Sequence, residues 1–478
     1  MPGPQKKFAG KLDTIEVTTR ADRRPMVIGT AGHVDHGKSS LVLALTGTDP
    51  DRLAEEKARA MTIDLGFAGF DLPSGRWASI IDVPGHEHFI KNMLAGIGGI
   101  DLAMLVVAAD EGPMPQTVEH LAIIDLLGIE RGVVAVTKSD LADEELIGYV
   151  IEEIGELLAG STLAKAPVIP VSSSSRYGLD RLVRAIDEIA GSEGSARFSG
   201  APRLPVDRVF SKSGHGTVVT GTLIGNGVFR IGDELVIMPE ERAGRIRGLQ
   251  SHGKSLREAG PGMRVAVNLT GVDVQGVRRG SVLTISGGVD ATHRIDAHIQ
   301  LLPDAPAQVK QNARVDLFTG ASEVQARVTL LESDALEPGK SQFVQLRLAN
   351  AIAVTAGDRL IVRQASPSRT IGGGAIIDSR PVRHRRFDPK TLDALRLRAA
   401  GNPRELALSA LTSSPLPESA LIAQVDAIAG EGTTRSAIDS LLASGEIERI
   451  DAESTGPGTL LFESAALRDL ESRLLARL

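Results

Sequence analysis

The octapeptide Gly32-His33-Val34-Asp35-His36-Gly37-Lys38-Ser39 sets two glycines around four residues and follows them with a lysine and a hydroxyl. That spelling fits a phosphate cradle. Glycines let successive backbone N–H groups turn inward as an anion nest, and a helix that follows points the positive end of its dipole at the same charges. Lys38 adds a point charge for the outer phosphates, and the Ser39 hydroxyl can hold Mg²⁺. The loop lies between an apolar run, Met26 to Ile28, and a helix-like stretch, Ser39 to Leu45, so a nucleoside triphosphate is the expected ligand.

Further along, Thr137-Lys138-Ser139-Asp140 follows the apolar run Gly132 to Val136, at the carboxyl end of an expected strand where α/β sheets place ligands. A carboxylate there can accept two hydrogen bonds from the N1–H and exocyclic amine of guanine, which adenine cannot match. Thr137, Lys138 and Asp140 are therefore guanine-binding candidates. Ser172 and Ser173, after the run Ala166 to Val171, could contact the base edge, although serine-rich turns are common. In Ile80-Ile81-Asp82-Val83-Pro84-Gly85-His86, Asp82 can hold the metal through water and the Gly85 N–H can reach the γ-phosphate. His86 is placed to orient the attacking water. Thr62, in Met61-Thr62-Ile63-Asp64, is the candidate to close over Mg²⁺ and the γ-phosphate. Taken singly, Pro84-Gly85 is also an ordinary turn and Thr62 an ordinary strand residue.

In this order, GHVDHGKSS, MTID, DVPGH and TKSD resemble the G domain of translational GTPases of the elongation factor Tu kind. The resemblance implies GTP as substrate and GDP as product, with His86 catalytic. It extends the phosphate set to Asp35, His36, Gly37, Lys38, Ser39, Ser40 and Gly85, with Asp35 helping to hold a monovalent cation; the Mg²⁺ set is Ser39, Thr62 and Asp82. Residues 51–57, 61–66 and 86–96 are similar to the selenocysteine-specific elongation factor of that superfamily, as is the short gap from Lys38 to Thr62.

These motifs need a scaffold, and 478 residues, 42% hydrophobic and 24% charged, suffice for three or four ordinary globular domains. No apolar run approaches the roughly 20 residues of a membrane span, so a cytoplasmic setting without a membrane is expected. The absence of cysteine excludes disulfides, thiolate catalysis and cysteine zinc sites. It also weighs against the gamma subunit of the archaeal and eukaryotic tRNA-carrying initiation factor. A net charge of −7 confines any RNA contact to local patches.

The expected fold is multidomain: an α/β P-loop GTPase domain, two antiparallel β-barrels and a C-terminal α-rich winged-helix-like module. Residues 1–24 form a basic N-terminal extension, and strands alternate with helices over 25–191 up to a linker at Gly191 to Ser195. Short Val-, Ile- and Thr-rich runs between turns place the barrels at 203–285 and 291–384. The remainder, 387–478, predicts helices at Pro389 to Ala399, Leu416 to Ala429 and Thr433 to Ser444, followed by an apolar stretch at Leu460 to Phe462.

Residues 205–210, 214–222 and 262–265 resemble the second domain of tRNA-carrying GTPases, which implies a pocket for the aminoacyl end. A selenol is largely ionised near neutral pH, so cationic or polar donors should face it. Asp207, Arg208, Arg264 and His215 are the candidates, although an arginine at a barrel rim is also commonly a solvated residue. Residues 357–363 and 370–375 are similar to the other barrel, implying a hold on the tRNA body. In the family, C-terminal modules of this kind read an mRNA hairpin, yet 387–478 carry nine basic against fourteen acidic residues, a balance unlike a phosphate-binding surface. The implied partners are selenocysteinyl-tRNA, the ribosome and that hairpin, with the chain a monomer. The alternatives are a GTPase delivering another aminoacyl-tRNA or initiator tRNA, and a non-delivering GTP-gated regulator that binds nucleic acid.

Overall fold

The computed structural model describes residues 24–50, 62, 64–85, 92–94, 99–191, 200–212, 216–430, 432–451 and 459–475. His86, His215, residues 51–57, the extension 1–23 and the expected linker residues 192–195 lie outside this set.

Strands β1 (Met26–Ala31), β2 (Gly66–Asp71), β3 (Trp77–Asp82), β4 (Leu102–Ala108), β5 (Gly132–Thr137) and β6 (Val168–Pro170) form one sheet in the order β2-β3-β1-β4-β5-β6. Only β2 runs antiparallel to its neighbour. β1, β4 and β5 are buried throughout, as continuous apolar runs are when both faces of a sheet are covered. Covering them are α1 (Lys38–Thr46), α2 (Pro115–Leu126), α3 (Glu144–Leu158) and α4 (Leu179–Gly191). α3 buries Val150, Ile154 and Leu158, and α4 buries Leu182, Ile186 and Ala190; this i, i+4 spacing keeps each set on one helix face. Asp143 starts α3 by accepting the Leu146 N–H at 2.9 Å. The strand order reverses beside β1, so the loop after β1 opens at the crevice where such sheets bind ligands.

The second domain contains β7 (Arg203–Pro205), β8 (Arg208–Lys212), β9 (Gly216–Thr222), β10 (Phe229–Arg230), β11 (Glu234–Met238), β12 (Arg242–Ser251), β13 (Lys254–Leu256), β14 (Glu258–Ala259), β15 (Arg264–Thr270) and β16 (Val282–Thr284). Its sheet runs β7-β16-β11-β12-β15-β9-β8, with β13 on β12, and a bridge from Arg203 to Ile224 draws its ends together. The third domain contains β17 (Ala291–Leu301), β18 (Val309–Lys310), β19 (Arg314–Thr319), β20 (Ser322–Leu330), β21 (Ala335–Leu336), β22 (Ser341–Ala353), β23 (Arg359–Gln364) and β24 (Arg369–Asp378). Six of these close a barrel, β17-β22-β20-β19-β23-β24. Along β20 the even-numbered residues Val324, Ala326, Val328 and Leu330 fill it, because strand side chains alternate between faces. An ion pair of 2.5 Å between Arg203 and Asp358 joins the two domains.

Beyond the barrel lie α5 (Pro389–Ala400), α6 (Pro403–Ser413), β25 (Leu416–Pro417), α7 (Glu418–Ala429), α8 (Thr433–Ala443), β26 (Ile447–Asp451), β27 (Thr459–Glu463) and α9 (Ser464–Leu475). Two expectations are corrected. Leu416 and Pro417 pair with β27 as a strand instead of opening a helix. Helix α6 was not anticipated, although Asn402 caps it by accepting the Arg404 N–H at 3.0 Å and Pro403 occupies its first turn, a start signal written in the sequence. The connection is fastened to the barrel by His384, 2.6 Å from buried Asp296, and by Leu395 of α5 against Leu331, Phe343 and Ile377.

Candidate functional site

The loop between β1 and α1 takes a shape that dictates its residues. Gly32 and Gly37 have φ of 133° and 79°, and Asp35 has φ of 61°. A Cβ on Gly32 would lie 2.1 Å from the Val106 carbonyl oxygen, so only glycine lets the loop cross β4 there. Lys38 is buried, and its Nζ donates to the carbonyls of Gly32 at 3.0 Å and His33 at 2.6 Å. Burial pulls its pKa down to about 8 against the opposing pull of Asp82 and Asp35. Gly85 is packed against this lysine: a Cβ there would come within 2.3 Å of Lys38 Nζ and 2.8 Å of the Val34 N. The Gly85 backbone and the loop are thus neighbours across 47 positions of sequence.

Three oxygen-bearing side chains converge beside Lys38. Ser39 Oγ donates to Asp82 Oδ2 at 2.7 Å and lies 2.8 Å from Thr62 Oγ1; with the Ser39 proton on Asp82, Thr62 donates in the second pair. Asp82 is fully buried, its Oδ1 accepting from Thr30 Oγ1 at 2.8 Å, and Thr30 in turn accepts the Val83 N–H at 3.0 Å. Two hydroxyls and a carboxylate on a buried lysine suit a hard divalent cation with an anionic ligand.

Sequence reasoning missed what holds the loop from the other side. His120 on α2 is buried, and its Nδ1 accepts the Gly32 N–H at 2.8 Å; Gln116 Oε1 accepts from Val34 N at 3.3 Å. Burial, with help from Lys38 and His33, lowers the His120 pKa to about 3, so the ring is neutral and its remaining proton sits on Nε2. His36 is also buried, and burial with His33 lowers its pKa to about 4 against the pull of Glu111. His36 therefore joins the loop through its backbone, its ring packed inward. On the same helix, Glu119 accepts from Thr370 Oγ1 at 2.9 Å, so α2 touches both the phosphate loop and the third domain.

At the base end the assignments divide. Asp140 is exposed and is held below the usual carboxylate range by hydrogen bonds from Ser172 and Ser174. Lys138, with φ of 55°, spans to Asp110 and Glu111 at 3.2 Å each. Thr137 is corrected: its hydroxyl donates to the His36 carbonyl at 2.6 Å and is buried, so it braces the phosphate loop instead of facing a base. Ser172 is buried beside Asp140, and its hydroxyl also accepts the Ser175 N–H at 3.1 Å, shaping the turn. Ser173 is half-buried in that turn. Ser174, the third serine of that turn, donates to Asp140 Oδ2 at 2.9 Å.

In the second domain, Arg264 reaches Asp207 through both terminal nitrogens, at 2.5 and 3.0 Å, and Thr220 Oγ1 donates to the same carboxylate at 2.7 Å. Arg208 Nη2 donates to the Leu65 carbonyl at 2.6 Å and pairs with Asp64 at 2.8 Å. Arg208 and Arg264 both lie over the ring of Phe67, at 5.3 and 3.3 Å from its centroid. Each arginine is paired with a carboxylate, Arg208 with Asp64 and Arg264 with Asp207.

A P-loop domain with converging switch oxygens, followed by an antiparallel sheet and a closed barrel, defines a translational GTPase. The profile of the elongation factor Tu GTP binding domain matches residues 23–192, and that of elongation factor Tu domain 2 matches 216–284. The beta-barrel domain of the selenocysteine-specific elongation factor matches 293–383. Elongation factor Tu 2 of Streptomyces avermitilis is 33% identical, over 73% of this chain and 95% of its own length. The selenocysteine-specific elongation factor of Desulfomicrobium baculatum is 46% identical over 81% of this chain, and that of Escherichia coli 37% over 77%. The chain spans 61% and 58% of the length of those two relatives. Among solved structures, SelB from Methanococcus maripaludis in complex with the GTP analogue GPPNHP is 28% identical with a TM-score of 0.65, covering 76% of this chain and 80% of its own. A bacterial EF-Sec shares the fold at a TM-score of 0.69 and 24% identity, covering 93% and 91%. The chain belongs to the elongation factor Tu family of translational GTPases.

Proposed function

We propose that this protein binds selenocysteinyl-tRNA in a GTP-dependent manner, delivers it to the ribosome at a recoded stop codon in the cytoplasm, and releases it when GTP is hydrolysed. The observation that carries the reading is the meeting of Ser39, Thr62 and Asp82 at one point beside buried Lys38. Their oxygens fit Mg²⁺, held directly by Ser39 and Thr62 and through water by Asp82; when bound, the ion would neutralise charge on the outer phosphates. Asp35 is the residue for a monovalent cation. Lys38 and the loop N–H groups hold the phosphates, Asp140 selects guanine, and the Gly85 N–H meets the γ-phosphate. Hydrolysis would remove the group that holds Thr62 and Gly85 in place, releasing both segments. His86 orients the attacking water once the ribosome has fixed it.

The second domain receives the aminoacyl end, with Asp207, Arg208, Arg264 and His215 forming the selenocysteine pocket. The third holds the tRNA body, and its outer surface supports that role. Arg314 pairs across strands with Arg327, Arg327 with Arg347, and Arg347 with Arg294. None of the four has a carboxylate partner among the described residues. Like charges on facing strand positions cost stability, and at the usual strand spacing this row is about 14 Å long, which suits a run of phosphates. The C-terminal helices and the sheet β25-β27-β26 are read as a winged-helix-like module, with an mRNA hairpin as its partner.

Titration of selenocysteinyl-tRNA with the GTP-analogue and GDP forms tests the proposal. Tight binding in the GTP form only is expected, and equal affinities would refute it. His86→Ala should keep GTP binding but abolish ribosome-stimulated hydrolysis; retained stimulation would remove His86 from the mechanism.

A further inference from the structure

Among the contacts between the G domain and the second domain, one centres on Arg208. Arg208 Nη2 is shared by the Leu65 carbonyl, at 2.6 Å, and Asp64 Oδ2, at 2.8 Å, while its Nε is buried with no hydrogen-bond partner. The ring of Phe67, buried at the start of β2, lies beneath both pocket arginines: the guanidinium carbon of Arg264 is 3.3 Å from its centroid and that of Arg208 is 5.3 Å. Asp64, Leu65 and Phe67 all follow directly on Thr62, whose hydroxyl is 2.8 Å from Ser39. Two residues of extended chain span at most about 7 Å, so Asp64 stays within that distance of Thr62, and a displacement of Thr62 beyond about 14 Å must draw Asp64 away from Arg208.

We infer that Asp64 and Phe67 are positioning residues for the aminoacyl pocket, which is assembled across two domains only while Thr62 is held at the phosphate loop. The inference rests on the pocket reading above and supplies its link to the nucleotide. Asp64 and the Leu65 carbonyl hold one terminal nitrogen of the Arg208 guanidinium, and Phe67 sets the plane of Arg264 while Asp207 takes both its terminal nitrogens. Held in this way, Arg208 keeps its Nε–H as an unpaired donor, and an anionic selenolate is the acceptor that suits it better than a neutral serine hydroxyl. Withdrawal of Thr62 removes the Asp64 clamp and the aromatic floor together, so the preference for selenium and the dependence on GTP share one mechanical cause.

The test is Asp64→Asn, with Asp64→Glu as the conservative rescue, measured as affinities for selenocysteinyl- and seryl-tRNA in the GTP-analogue and GDP forms. Asp64→Asn should bind selenocysteinyl-tRNA about tenfold more weakly in the GTP-analogue form. Its affinities for seryl-tRNA, for the nucleotide itself and for either tRNA in the GDP form should be unchanged, and Asp64→Glu should recover part of the loss. Equal loss for both tRNAs, no loss, or tighter binding in a wild-type background that does discriminate overturns the inference alone. A wild type that binds both tRNAs alike overturns the pocket reading and this inference with it.

Discussion

Thr137→Val separates the two roles that a threonine at this position could hold. The substitution keeps shape and removes a hydroxyl that donates to the His36 carbonyl at 2.6 Å. His36 is buried and its loop carries the φ values of 61° and 79° on either side of it, so the carbonyl has no cheap alternative. An unsatisfied buried acceptor costs about 1–3 kcal/mol. That cost should appear as lost stability of the nucleotide-free protein in denaturant titration. It should also weaken nucleotide binding to the extent that the ligand must re-order the loop, at most by the corresponding factor of roughly 5 to 140. Because the brace acts on the phosphates, the loss should be the same for GTP and for ITP, whose base lacks the exocyclic amine. Calorimetric titration of both nucleotides against wild type and variant gives the two ratios. Unchanged stability together with a loss confined to GTP would refute the reasoning and return Thr137 to the base. Asp140→Asn is the control: it should narrow the difference between GTP and ITP while leaving stability near wild type.

Two further predictions follow from charge. Lys38 is held near pKa 8 when no phosphate is present, and phosphates must raise that value. Affinity should therefore be flat below pH 8 and fall by up to tenfold per unit above it, with uptake of a proton seen as buffer-dependent binding enthalpy; a flat profile to pH 9.5 would contradict the burial of Lys38. The same group binds more protons unfolded than folded between pH 8 and its ordinary 10.5, so it contributes rising stability across that window. On the third domain, Arg327→Ala with Arg347→Ala should weaken tRNA binding and reduce the slope of log affinity against log salt by about two. An unchanged slope would take the arginine row out of the RNA contact.

The chemistry of the loop was legible because it is local. The glycines, Lys38 and Ser39 act through a backbone path of eight residues, and that path is dictated by which positions need φ above zero. The central strands were legible for a related reason, since a strand buried on both faces must be apolar at every position. Short runs of β-branched residues between turns made the barrel strands visible in the same way. Helix α6 is legible too, since Asn402-Pro403 is a local start signal.

What the tertiary structure alone decided is partnership. Thr137 looked like a base contact because it follows a strand at the ligand edge; distance in space shows it bracing His36 from 101 positions away. Thr30, Gln116 and His120 carry no motif, and their roles arise only because the sheet order brings β1, β3 and α2 around one loop. Residue type determined that Arg208 and Arg264 are cations. Whether a cation is a free donor or a clamped one depends on its neighbours, and theirs come from Asp64, Phe67 and Asp207, up to 197 positions away in the chain. Sequence spells the groups that can do chemistry, whereas their pairing is a property of contacts that exist only once separate domains have packed.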